Sequence, residues 1–130
     1  MRDKNHNILF DPIKLGPVQS KNRFYQVPHC SGMGWARPKT LAAMRGIKAE
    51  GGWGVVCTEY CSVHPSSDDT PYPYARLWNK DDIKSHLLTT NKIHEHNALA
   101  GVELWLGGNF VGNLDSRIPP IGLISRPITN

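Results

Sequence analysis

Apolar residues along this chain switch between the spacing of a strand and that of a helix. The run Asn22-Arg23-Phe24-Tyr25-Gln26-Val27-Pro28 is rich in aromatic and branched residues and predicts a first strand. Pro28 ends it, because proline has no N–H to give to a ladder. Lys39 to Glu50 then places Leu41, Met44, Ile47 and Lys48 at helical spacing, with Pro38 or Thr40 near its start and Gly51-Gly52 at its end. Trp53 to Tyr60 opens with a near-continuous apolar run, the pattern of a strand covered on both faces in a parallel sheet. Asn79 with Asp82 three residues on resembles a capping pair, and Asp81 and Asp82 suit the positive end of a helix dipole. A second helix is predicted from there to about His96, with Ile83, Leu87, Thr90 and His94 on its inner face. Ala100 to Leu106 predicts a third strand, stopped by Gly107-Gly108. The order strand, helix, strand, helix, strand implies an α/β fold with a parallel sheet built from right-handed crossovers.

The flanks carry less pattern. Ile8-Leu9-Phe10 and Ile13 to Val18 read as short extended pieces, with Gly16-Pro17 as a turn, forming a small hairpin or cap. Cys61 to Trp78 holds Pro65, Pro71 and Pro73 around Ser66-Ser67-Asp68-Asp69, which disfavours regular structure and suits a lid or binding loop. Asn109 to Asn130 carries loop chemistry throughout.

Composition narrows the class. The chain has 130 residues, 39% of them apolar and 20% charged, with no apolar run near the length of a membrane span. Its polar start does not read as a secretory signal, so a cytoplasmic location is expected. The net charge of +4 is scattered, without the basic stripe of a nucleic-acid binder, and could equally attract a phosphate-bearing cofactor. Three cysteines are an odd number, against a disulfide framework, and Cys57 and Cys61 lack the spacing of a zinc site.

The candidate chemistry lies at strand ends. Cys30 follows the first strand, past a proline and ahead of a glycine-containing loop, where a thiol is presented to a ligand. The second strand closes on Glu59-Tyr60, and the third carries Glu103 inside an apolar run. In parallel α/β folds ligands bind at this carboxyl end.

Several runs together resemble a known group: the run from Asn22 to Cys30, Lys48-Ala49-Glu50-Gly51-Gly52-Trp53, Cys57-Thr58-Glu59-Tyr60-Cys61-Ser62, Ser67-Asp68-Asp69-Thr70, Ala75-Arg76-Leu77-Trp78 and Gly101-Val102-Glu103-Leu104-Trp105. They are similar to the N-terminal region of the trimethylamine, dimethylamine and histamine dehydrogenases, flavin-binding (β/α) barrels of the old yellow enzyme class. The resemblance covers roughly residues 3 to 117 and weakens from Arg117 onward. It implies the N-terminal part of a (β/α)8 barrel, about three βα units and incomplete, since a whole barrel needs roughly 250 residues. On that reading residues 1–21 are a cap or hairpin, 22–106 the first three barrel strands and two helices, and 107–130 a loop.

The resemblance also implies a site. Cys30 matches the cysteine that bonds C6 of FMN, and a thiolate is the nucleophile such a bond requires. Val27, Pro28 and His29 would line the flavin, Glu59 and Tyr60 would stand beside the isoalloxazine, and Glu103 would accept from the pyrimidine edge, where it needs a donor if buried between Val102 and Leu104. Tyr60 matches one wall of an aromatic bowl for an alkylammonium group, held by cation–π attraction. Family members acting on secondary amines tend to be polar there, so a tertiary amine such as trimethylamine is implied. Trp105 is read as packing. The parent enzyme would be a homo-oligomer, with an iron–sulfur cluster beyond these residues and a separate electron-acceptor protein; neither nucleic acid nor membrane is expected as a partner. Two other readings stay open: an NAD(P)H-dependent ene or dienoyl reductase with non-covalent FMN, and a non-enzymatic partial-barrel module.

Overall fold

Period-two and period-3.6 segments fold as strands and helices over most of their predicted lengths in the computed structural model, which describes residues 3–67, 75–113 and 116–125. Ile8-Leu9-Phe10, expected extended, instead ends a 3₁₀ helix, Lys4–Phe10, whose Asp3 side chain accepts from Asn5 N. An antiparallel hairpin follows, β1 (Ile13–Leu15) and β2 (Val18–Ser20), turned through Gly16 at φ +58°.

The main sheet is parallel and centred on β4 (Val55–Ser62). Strand β6 (Leu99–Trp105) pairs with both the start and the end of β4 and so occupies one edge of it. The other edge is shared by β3 (Tyr25–Gln26), which meets Val55 and Val56, and β5 (Ala75–Arg76), which meets Cys61 and Ser62. Strand β3 is much shorter than the predicted 22–28. The Asn22 side chain takes over there: Oδ1 accepts from Phe24 N and Nδ2 donates to Gly52 O, a local turn that competes with a ladder. Strand β4 runs two residues beyond the predicted end because β5 emerges from the expected loop to pair with it. Part of that loop, with Asp68, Asp69, Thr70, Pro71 and Pro73, lies outside the described residues, as do the final residues of the predicted 107–130 loop.

Two helices cover one face of the sheet, α1 (Pro38–Glu50) and α2 (Asp82–His94). The core between them is Ala49, Val56, Ile93 and Ala98, with Ala100 against it. The expected helix faces are rotated. Helix α1 buries Leu41, Ala42, Arg45, Gly46 and Ala49 and leaves Ile47 68% exposed, because its small residues form the contact side; a side chain at Gly46 would already meet Lys92 Cβ of α2. Helix α2 buries Asp82, Thr89 and Ile93, whereas Ile83, Leu87 and His94 are exposed. Asp82 fixes that phase. Its carboxylate accepts from Trp78 N, Asn79 N and Arg76 Nε, while Asn79 Oδ1 accepts from Asp82 N, the reciprocal arrangement of a capping box. Burial alone would push the Asp82 carboxyl up, but these bonds and the Arg76 charge together hold it below the usual carboxylate range.

The opposite face of the sheet carries Tyr25, Cys57 and Gly101. Cys57 Sγ donates to Tyr25 Oη at 3.1 Å, and a Cβ on Gly101 would overlap Cys57 Sγ and lie 3.5 Å from Tyr25 Oη. Gly101→Ala is therefore expected to destabilise by about 1–3 kcal/mol, the usual cost of forcing an extra carbon into a filled position. A denaturant midpoint unchanged from wild type would refute this close packing.

Candidate active site

The carboxyl end of β4 departs from regular pairing. Cys57 pairs with Gly101 and Tyr60 with Glu103, so Thr58 and Glu59 stand opposite the single residue Val102, a β-bulge. The extra residue advances the alternation by one. Tyr60 thereby joins Cys57, Glu103 and Trp105 on the face away from the helices, and its ring lies 5.2 Å from that of Trp105 with the planes tilted by 38°. Tyr60 is half-buried and Trp105 is 37% exposed, so the pair offers an aromatic surface at the strand ends. Trp105, expected to be packing, is one of the two rings of that surface.

Glu103 is exposed, with exposed Val102 and Leu104 beside it, because β6 has strand pairing along its β4 side alone among the described residues. Its expected apolar burial is not found. The carboxylate stands on the same face as the Tyr60 and Trp105 rings.

On the neighbouring strand exit, Val27, His29 and Cys30 are exposed and Pro28 is half-buried. The residue before Cys30 is tied to the β4 bulge by Arg45 of α1, which is 0% exposed. Its Nη2 donates to His29 O at 2.5 Å and to Thr58 O at 3.4 Å, and Nη1 reaches Gln26 Oε1 at 3.4 Å. Between β3 and β5 the edge of β4 lacks a strand neighbour among the described residues, and this guanidinium supplies donors there instead. Burial lowers the Arg45 pKa, opposed chiefly by the nearby Glu59 charge.

Glu59, expected beside the cofactor, is 0% exposed and turned into the loop that follows Cys30. Oε1 accepts from Ser31 N at 2.7 Å, Met33 N at 3.2 Å and the Ser31 hydroxyl, and Oε2 accepts from Gly34 N at 3.1 Å. Neither Arg45 nor this role of Glu59 is marked in the sequence by a motif. The same loop continues to Trp35, whose ring lies 3.1 Å from Arg76 Cζ, with Trp78 on the same guanidinium at 5.0 Å.

The three thiols differ sharply. Cys57 and Cys61 are buried, and burial pushes both up, Cys61 to about 11, so neither supplies a thiolate near neutral pH. Cys30 is the exposed one. No cluster of three or more His, Cys, Asp or Glu side chains suited to a metal occurs among the described residues, and none of their helices is long and apolar enough to cross a membrane.

Known proteins share this sequence and fold. Dimethylamine dehydrogenase of Hyphomicrobium sp. (strain x) is 49% identical over 116 residues, which are 89% of this chain and 16% of that protein. The structure of histamine dehydrogenase from Rhizobium sp. 4-9 superposes on 98% of this chain with a TM-score of 0.84 and 41% identity, using 21% of its own length. That of 6-hydroxypseudooxynicotine amine oxidase from Pseudomonas geniculata N1 gives a TM-score of 0.85 and 42% identity over 92% of this chain and 18% of its own. The chain thus spans about a fifth or less of these relatives, and its parallel βα units are the partial (β/α)8 barrel expected from the sequence. Residues 8–119 match the NADH:flavin oxidoreductase / NADH oxidase family, and the chain belongs to it.

Proposed function

We propose that this chain forms the flavin-facing N-terminal part of an amine dehydrogenase that oxidises a small alkylamine. The observation that carries the reading is the convergence, at one end of the sheet, of an exposed thiol, an aromatic ring pair and an exposed carboxylate, with Arg45 tying the Cys30 segment to the β4 bulge. That set suits FMN. Cys30 would hold it covalently, Val27, Pro28 and His29 would line the ring, and Glu103 would accept from its N3–H. When bound, the flavin supplies the hydride acceptor, and the protein supplies position and electrostatics. The iron–sulfur cluster and the acceptor protein of the parent enzyme belong to this reading and lie outside these residues.

Tyr60 and Trp105 give the amine its recognition. A tertiary alkylammonium such as trimethylammonium presents methyl groups and diffuse charge, which an aromatic face attracts without needing many hydrogen bonds. Each good ring face contributes about 1–2 kcal/mol. Tyr60→Ala in the full-length native protein should therefore raise the KM for the amine by about 5–30-fold with a smaller effect on kcat. An unchanged KM would remove Tyr60 from the amine site.

The direct test is anaerobic addition of trimethylamine to the full-length native protein. Loss of the flavin's visible absorbance on adding amine, without a nicotinamide donor, supports the dehydrogenase reading. A flavin that resists amines but is bleached by a nicotinamide donor and reoxidised by a conjugated carbonyl compound would make the protein a reductase.

A further inference from the structure

A carboxylate that is fully buried yet lacks an ion pair within 4 Å among the described residues calls for a structural reason. Glu59 meets four donors, all from one loop: the amides of Ser31, Met33 and Gly34 and the Ser31 hydroxyl. Backbone amides that converge in this way form a nest for an anion, and here the chain provides the anion itself. Gly32, at φ +70°, allows the turn that brings the amides together. The β4 bulge directs the Glu59 side chain into this nest while sending Tyr60 to the ligand face.

Cys30 therefore sits between two clamps made by buried charges. Arg45 holds the carbonyl of His29 on one side, and Glu59 holds the amide of Ser31 on the other. The backbone of Cys30 is fixed while its side chain stays exposed. We propose that Glu59 is the positioning residue of the Cys30 thiol, setting its reach toward the ligand face by gathering the amides of Ser31, Met33 and Gly34. This rests on the reading of Cys30 as the flavin-linking thiol.

A carboxylate is acceptor-only and can take all four donors, whereas an amide offers one oxygen and turns an N–H toward whatever remains. In Glu59→Gln at least one loop amide thus faces another donor, at nearly unchanged volume. The test uses the full-length native protein as wild type, Glu59→Gln and Ser31→Ala, which deletes one donor and leaves the amides. In Glu59→Gln, amide hydrogen exchange at Ser31, Met33 and Gly34 should accelerate about tenfold or more, as expected for losing one charge-assisted bond. The share of bound FMN that stays with the denatured chain should fall severalfold while total bound FMN is retained. Ser31→Ala should shift both in the same direction by less. A wild-type covalent share in Glu59→Gln, or exchange accelerated equally throughout the protein, would overturn the proposal. If Glu59→Gln does not fold, Ser31→Ala decides, and a wild-type covalent share there overturns it. If wild type itself releases all its FMN on denaturation, the flavin-link reading fails separately. The rate of iodoacetamide alkylation at Cys30 in flavin-free protein then decides: a rate altered by Glu59→Gln supports the positioning role, and an unaltered rate overturns it.

Discussion

Arg45→Met is expected to lower the unfolding free energy of the full-length native protein by about 3–5 kcal/mol, from leaving several buried acceptors without their charged donor at about 1–3 kcal/mol each. Methionine keeps much of the side-chain length, so the loss falls on the hydrogen bonds. Three acceptors lose their donor together: Gln26 Oε1, His29 O and Thr58 O. Two of these are main-chain carbonyls, and along the edge of β4 between β3 and β5 no strand of the described residues is present to take over their bonds. The Glu59 carboxylate also loses a nearby positive charge. One feature of the wild type moderates the loss: Arg45 Nε is itself buried without an acceptor among the described residues, so the native arrangement already carries one unsatisfied group. Arg45→Lys should lie between the two, since an ammonium keeps the charge but cannot span three acceptors from one plane. Equilibrium denaturation by urea measures both. A loss below about 0.5 kcal/mol for Arg45→Met, the size of an ordinary surface change, would show that these bonds are replaceable.

How much of this was legible in the sequence depends on the range over which each feature is encoded. The helices and the order of parallel strands follow from local period and from stops such as Pro28 and Gly51-Gly52, and the Asn79–Asp82 capping pair forms as its spacing predicted. The faces of the helices did not follow from large apolar residues. Small residues of α1 make its contact side and a capped aspartate orients α2, leaving Ile47, Ile83 and Leu87 exposed. At the site, Cys30 and Tyr60 stood out because one follows the first predicted strand and the other ends the second. Strict alternation would have placed Tyr60 opposite to Cys57, and the bulge that reverses this is a matter of register against β6, which one strand's sequence does not carry. The same is true of Arg45: on a helix diagram it is one more charged residue, and its burial becomes visible only when the gap between β3 and β5 is known.

Cys30→Ala should abolish every trace of flavin that survives denaturation of the full-length native protein, while Cys57→Ala and Cys61→Ala should leave it intact. The contrast comes from where the three thiols lie. A cysteine reacts as its thiolate, and a thiol whose pKa is raised by burial has almost none near neutral pH. Cys61 sits at about 11 and Cys57 is also pushed up, the latter held in a hydrogen bond to Tyr25 Oη. Cys30 is exposed on a backbone held on both sides, with Val27 and His29 exposed beside it. Bonding Cys30 to a flavin ring carbon would release the S–H and ring C–H hydrogens as two protons and leave two electrons on the flavin, which dioxygen or an added one-electron oxidant such as ferricenium would remove, so the link is expected to accumulate on exposure to an oxidant. Intact mass of the denatured chain and its visible absorbance read the outcome together. A mass increase equal to FMN in wild type, absent from Cys30→Ala alone, would establish Cys30 as the attachment point. A flavin that leaves wild type on unfolding would place this chain with non-covalent flavin enzymes. A mass increase that persists in Cys30→Ala would move the attachment to another residue, and the clamped loop of residues 31–34 would then lose the chemical purpose assigned to it.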